Sequence, residues 1–117
     1  MKYAILGDIH ANIEALTAVL ETAEELGVDR YLCIGDIVGY NANPRECLQA
    51  IKALDPEVVT KGNHDEQASS DTELIGFNPQ AAKAIEWTRQ HLQGDDRVWL
   101  AGLPYRQTIG SRITLVH

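Results

Sequence analysis

The chain has no C-x-x-C pair, no run of lysine and arginine, and no apolar stretch near the ~18–20 residues that span a bilayer. Cys33 lies in a strand-like apolar run and Cys47 in a helical one, so both read as small buried core residues rather than metal ligands or a disulfide pair. Ten basic against 17 acidic side chains leave a formal charge of −7, which argues against strong nucleic-acid binding through the backbone phosphates. The start, Met1 to Asp8, is short and soon acidic, unlike a signal peptide, and a cytoplasmic protein with no membrane contact is expected. No glycine-rich phosphate loop follows the first strand, and no internal repeat, low-complexity tract or second domain boundary is visible. If this acidic chain handles phosphate, bound dications must supply the positive charge that its side chains mostly do not.

What is present is ordinary globular composition: 117 residues, 44% apolar and 23% charged, read as one domain over 1–117. Residues 2–6 predict a buried strand, with a turn at Gly7. Ile13, Leu16, Leu20 and Ala23 recur at helical spacing, and Gly27 stops that helix. Residues 30–34 predict a second strand. Asn43-Pro44-Arg45-Glu46 predicts a helix start, with Asn43 as cap and Glu46 reaching back to its amide. Cys47, Leu48, Ile51 and Leu54 form its inner face, Asp55-Pro56 ends it, and residues 57–61 predict a third strand. This β-α-β-α-β order is that of a parallel sheet covered by helices. Residues 66–77 are expected to be a loop or irregular flap. Asn78-Pro79 opens a helix to Leu92 with Ala81, Ile85, Thr88 and Leu92 inward and Trp87 making a second packing contact. Residues 95–103 form a helical turn ended by Pro104, and residues 105–109 and 112–116 a hairpin around Gly110-Ser111.

Each strand run ends in polar groups that suit a metal: Asp8-Ile9-His10, Gly35-Asp36, Gly62-Asn63-His64-Asp65, and His117 after the run 113–116. Carboxyl ends of parallel strands share one edge of a sheet, where ligands bind. Asp8 and His10 flank one residue, so on extended backbone both side chains point the same way. Taken singly these are weak signals: Asp-x-His, Gly-Asp and an Asx turn at Asn63 are common surface features. In combination they are stronger. Two carboxylates about 4 Å apart repel by roughly 4 kcal/mol at an effective dielectric near 20, so Asp8 and Asp36 share a site only if protonated or bridged by cations. Asp36, central in the set, is the natural bridge, and the oxygen and nitrogen donors suit Mn, Fe, Zn, Co or Ni.

The three motifs 7–12, 35–39 and 62–65, in this order and spacing, resemble the calcineurin-like metallophosphoesterase superfamily, of which this chain matches the N-terminal part of the pattern. The resemblance implies an α/β chain forming the N-terminal part of a four-layer αββα sandwich. It also implies a binuclear metal-dependent phosphoesterase that hydrolyses phosphodiester or phosphomonoester bonds of a small substrate. It places Asp8 and His10 on a first ion, Asp36 between the two, and Asn63 and His117 on a second. His64 would donate a proton to the leaving oxygen or stabilise the transition state. Asp65 would orient His64 or face solvent as a turn residue, and Asn12 would contact phosphate or cap the helix. Ala11 stands where many relatives have glycine.

The family's later Gly-His-x-His motif is not in this chain, whose histidines are His10, His64, His91 and His117, with His91 read as a surface residue. The chain is therefore expected to be truncated at its C-terminus, to lack one ligand per metal, and to be inactive alone. A sheet edge left without neighbours also invites oligomerisation. A non-catalytic metal-binding or scaffold domain of the same fold is the alternative reading. A flavodoxin-like nucleotide binder fits the element order and ranks below both.

Overall fold

The computed structural model describes residues 1–117. Three short strands, β1 (Tyr3–Leu6), β2 (Arg30–Cys33) and β3 (Val58–Val59), form a parallel sheet in that spatial order. Their register pairs Leu6 with Cys33, and Cys33 with Val59. Helix α1 (Ile13–Glu25) connects β1 to β2, and α2 (Pro44–Leu54) connects β2 to β3. Three more helices follow, α3 (Asn63–Ala68), α4 (Pro79–His91) and α5 (Gly94–Ala101), then an antiparallel hairpin of β4 (Arg106–Ile109) and β5 (Ile113–Val116). No helix is long and apolar enough to cross a membrane.

Alternation along the strands sends side chains to two different cores. Cys33 and Leu6 join Leu16, Cys47, Leu48 and Ile51 in the helical layer. Leu32, one residue earlier on β2, packs instead with Val58 and Leu115 beneath the hairpin. Helices thus cover one face of the sheet and the β4–β5 ribbon the other. Each fully buried leucine or isoleucine in these layers contributes about 1.5–3 kcal/mol. β1 lies at the sheet edge, where Ile5 is 63% exposed.

Several expectations are met in detail. Leu16 and Ala23 of α1, the face Cys47-Leu48-Ile51 of α2, and Ala81, Ile85 and Thr88 of α4 are buried. Gly27 (φ +66°) follows α1, and both cysteines are free and buried. Others need correction. Residues 63–68 are helical, so the flap expected from residue 66 starts only after α3, and the tight turn expected at Asn63 is that helix's first turn. β3 has two residues rather than five. Asn43 caps α2 with its backbone alone, since its side chain makes no capping bond. Trp87 stacks on His91, one turn along its own helix, with ring centres 3.8 Å apart, and lines a cavity with Pro44, Arg45 and Glu46 of α2.

Candidate metal centre

Asp8 and His10 follow β1, Asp36 follows β2, Asn63 and His64 open α3 after β3, and His117 follows β5. The first three strand ends converge because the parallel sheet puts them on one edge. His117 comes from outside that sheet, and the hairpin delivers it. Its Nδ1 donates to the Ile34 carbonyl at 2.8 Å, which ties the end of β5 to the loop after β2.

Asp8 and His10 do not meet on extended backbone. Asp8, His10 and Ala11 all have left-handed φ, at +50°, +49° and +57°. The loop is held by Asp8 N, His10 N and Ala11 N donating to the carbonyls of Gly35, Asp36 and Ile37 at 2.8–3.1 Å. Two turns after parallel strands thus zip together through their backbones, which brings the His10 Nε2 to 3.5 Å from both Asp8 Oδ1 and Asp36 Oδ2.

Asp36 is nearly buried, and its Oδ1 accepts from His64 N at 2.9 Å. Close approach requires glycine at 62, where a Cβ would lie 2.1 Å from Asp36 Oδ1 and 2.3 Å from its N. Asp65 is fully buried beneath this loop and neither orients His64 nor faces solvent. Its carboxylate accepts from the backbone N of Asp36 (2.8 Å), Ile37 (2.9 Å), Val38 (3.3 Å) and Gly62 (3.0 Å). Burial pushes the Asp65 carboxyl up to about 6, against the pull of the Gly62, Val38 and Asp36 N–H groups toward the ionised form. A Gly-x-x-Asp spacing at a helix start was the one sequence signal available for it.

The Val38 carbonyl receives a hydrogen bond from His10 Nδ1 at 3.1 Å, as the Ile34 carbonyl does from His117. A carbonyl only accepts, so each neutral ring carries its proton on Nδ1 and turns a lone pair on Nε2 inward. His117 Nε2 then lies 3.2 Å from Asp36 Oδ2 and 3.1 Å from Asn63 Oδ1. A neutral imidazole lone pair turned toward carboxylate oxygens suits a cation, and a backbone carbonyl behind each imidazole is the usual support of a metal-binding histidine. With its amide turned over, Asn63 would instead donate to both Asp36 oxygens and to His117 Nε2 at 3.1–3.3 Å. No comparable turn relieves the Asp8–His10–Asp36 set.

Two groups of candidate ligand atoms, each within 4.8 Å of one another, share Asp36: His10–Asp36–His64 and Asp8–Asp36–His117. The shared carboxylate fits a bridging place. His64 lies with His10 rather than apart from it, with ring centres 4.8 Å away. Its Nδ1 is buried without a hydrogen-bond partner and abuts Gly39, where a Cβ would sit 2.5 Å from it. Burial holds the His64 imidazole below its ordinary pKa, opposed by Asp36 and reinforced by His10 and His117. Asn12 caps α1, its Oδ1 accepting from Ala15 N at 3.0 Å, and it lines a cavity of about 500 Å³ with Asp8 and His10. Tyr40 and Phe77, not anticipated from the sequence, close on the His64 ring at 4.8 and 5.3 Å.

The protein MJ0912 of Methanocaldococcus jannaschii, itself described as uncharacterized, is 42% identical over 101 residues, or 86% of this chain and 41% of that one. The crystal structure of a metallophosphoesterase from Sphaerobacter thermophilus is similar with a TM-score of 0.79 at 41% identity, over 94% of this chain and 44% of the other. The protein PH1004 of Pyrococcus horikoshii OT3 has a TM-score of 0.80 at 29% identity, over 90% and 48%. This chain therefore spans less than half the length of these relatives and corresponds to part of their fold. The model of the family described as calcineurin-like phosphoesterase matches residues 1–117. With the loops after β1, β2 and β3 gathered on Asp36, the chain belongs to the calcineurin-like phosphoesterase family.

Proposed function

We propose that this chain carries the ligand core of a two-metal phosphoesterase acting on small phosphodiesters or phosphomonoesters, with Asp36 bridging the ions. The observation that carries the reading is the convergence of the His10 and His117 Nε2 atoms and the Asp8 carboxylate on Asp36, with a backbone carbonyl behind each imidazole. Asp8 and His10 would hold one ion, and Asn63 and His117 the other. When bound, divalent ions such as Mn²⁺ would offset phosphoryl charge and acidify the attacking water.

The protein's own groups position the rest. Asp65 fixes the backbone of the Asp36 loop, and the bond from His64 N to Asp36 Oδ1 sets the His64 ring beside the bridging carboxylate. We assign His64 to the leaving oxygen, which it protonates or stabilises. Asn12 spends its Oδ1 on the helix cap, which leaves its Nδ2 to donate to a phosphate oxygen.

The test is hydrolysis of an aryl phosphate and an aryl phosphodiester by the protein in Mn²⁺. Activity should fall at least 100-fold in Asp36→Asn and in His64→Ala. Wild-type turnover in both variants would overturn the assignment.

A further inference from the structure

Tyr40 stands beside the centre and has no part in the roles assigned above. Its φ is +62°, a region easy for glycine or asparagine and an outlier for a bulky side chain. The loop holds it there: Gly39 has φ +99°, Asn41 N donates to the Gly39 carbonyl at 2.8 Å, and Asn41 Nδ2 donates to the His10 carbonyl at 2.9 Å. Strain of this kind persists where the surroundings over-determine it and is concentrated at ligand sites.

Packing does not explain the tyrosine, because it remains 49% exposed. Its ring meets His10 at 4.9 Å and His64 at 4.8 Å, between centres. It also lines two cavities, the one of about 500 Å³ with Asp8, His10 and Asn12, and one of about 280 Å³ with Asn41, Ala42 and Trp87. Its hydroxyl can donate to a phosphate oxygen, a role that Tyr40→Phe separates from that of the ring. A flat, half-exposed aromatic face at the rim of a phosphate site suits the organic group esterified to that phosphate. The smaller cavity is also lined by Trp87, whose ring stacks on His91.

We propose that Tyr40 determines specificity for the esterified group and selects a planar aromatic one, aryl or nucleobase-bearing, with Trp87 in the wall of the smaller cavity. The proposal rests on the phosphoesterase reading and deepens it.

The test is calorimetric binding of phenyl phosphate and methyl phosphate, which differ in the aromatic ring, to the Mn²⁺-loaded protein. Wild type should prefer phenyl phosphate about tenfold. Tyr40→Phe should keep that ratio, and Tyr40→Ala and Tyr40→Gly should bring it to about one. Tyr40→Gly relieves the positive φ, so its loss of preference is not a folding defect. A ratio near one in wild type, or an unchanged ratio in Tyr40→Gly, overturns the proposal and leaves the phosphoesterase reading standing. Binding of neither probe to wild type overturns both.

Discussion

Replacing Asp65 tests whether a buried brace, rather than the ligands themselves, sets the geometry of the centre. Four backbone N–H groups converge on its two oxygens, those of Asp36 and Gly62 on Oδ2 and those of Ile37 and Val38 on Oδ1. The residue is fully buried, so water does not replace the acceptor without rearrangement. An unsatisfied buried donor costs about 1–3 kcal/mol, and partial relaxation of the loop brings four such groups in Asp65→Ala to about 4–6 kcal/mol. That approaches the whole stability of a small domain, about 5–15 kcal/mol. Asp65→Asn keeps the shape and one acceptor oxygen but turns an NH2 group toward two donors, for about 2–4 kcal/mol. In urea, with a slope of about 1–3 kcal/mol/M, the Asp65→Asn midpoint should fall by about 1–3 M with the slope unchanged. Asp71→Asn is the control. It removes one carboxylate charge too, but Asp71 is exposed and pairs only with Arg97 at 2.7 Å, so its midpoint should stay within about 0.3 M of wild type. Equal midpoints for Asp65→Asn and Asp71→Asn would refute the brace.

Gly39→Ala places a Cβ 2.5 Å from His64 Nδ1 on backbone at φ +99°, and should cost about 2–4 kcal/mol in urea denaturation and lower turnover by displacing the imidazole. Gly76→Ala shares a positive φ of +86° but meets no atom within 4 Å, so it should cost about 1 kcal/mol; equal costs for the two would show that backbone strain alone is at work. Burial pushes the Cys33 thiol from 9.0 up to about 12 and the Cys47 thiol up to about 11, so native protein at pH 8 should resist a thiol reagent that finds two thiols in urea. Because the folded thiols keep protons that the unfolded chain releases from about pH 9, their contribution is intact below that pH and is lost as pH rises toward 11–12. Two equivalents reacting within minutes in the native state would contradict the burial.

The legible parts of this protein were those set by local pattern. Apolar periodicity located α1, α2 and α4, and Gly110-Ser111 located the hairpin, because helix faces and hairpin turns are written within about 15 residues. The convergence of the polar strand ends was legible because the strand ends of a parallel sheet are neighbours whatever lies between them. What escaped was the means by which those ends are joined. Alternation predicted that Asp8 and His10 would share a face of extended backbone, but left-handed φ at Asp8, His10, Ala11 and Asp36 brings them together instead. No propensity foretells four non-glycine residues in that region; interlocking backbone bonds from the loop after β1 to the loop after β2 impose it. Asp65 was missed for a related reason. Three of its four partners are 27 to 29 residues away, and a carboxylate beside a histidine looks like a catalytic pair until the chain is folded. The strain in these loops and the donors gathered by Asp65 are two sides of one device. The loops adopt unfavourable backbone so that acceptor atoms face one another around Asp36, and a buried carboxylate holds the Asp36 loop in that state. If that is right, destabilising the brace should loosen Mn²⁺ binding before it unfolds the sheet, because the strained loops have the most to gain from relaxing.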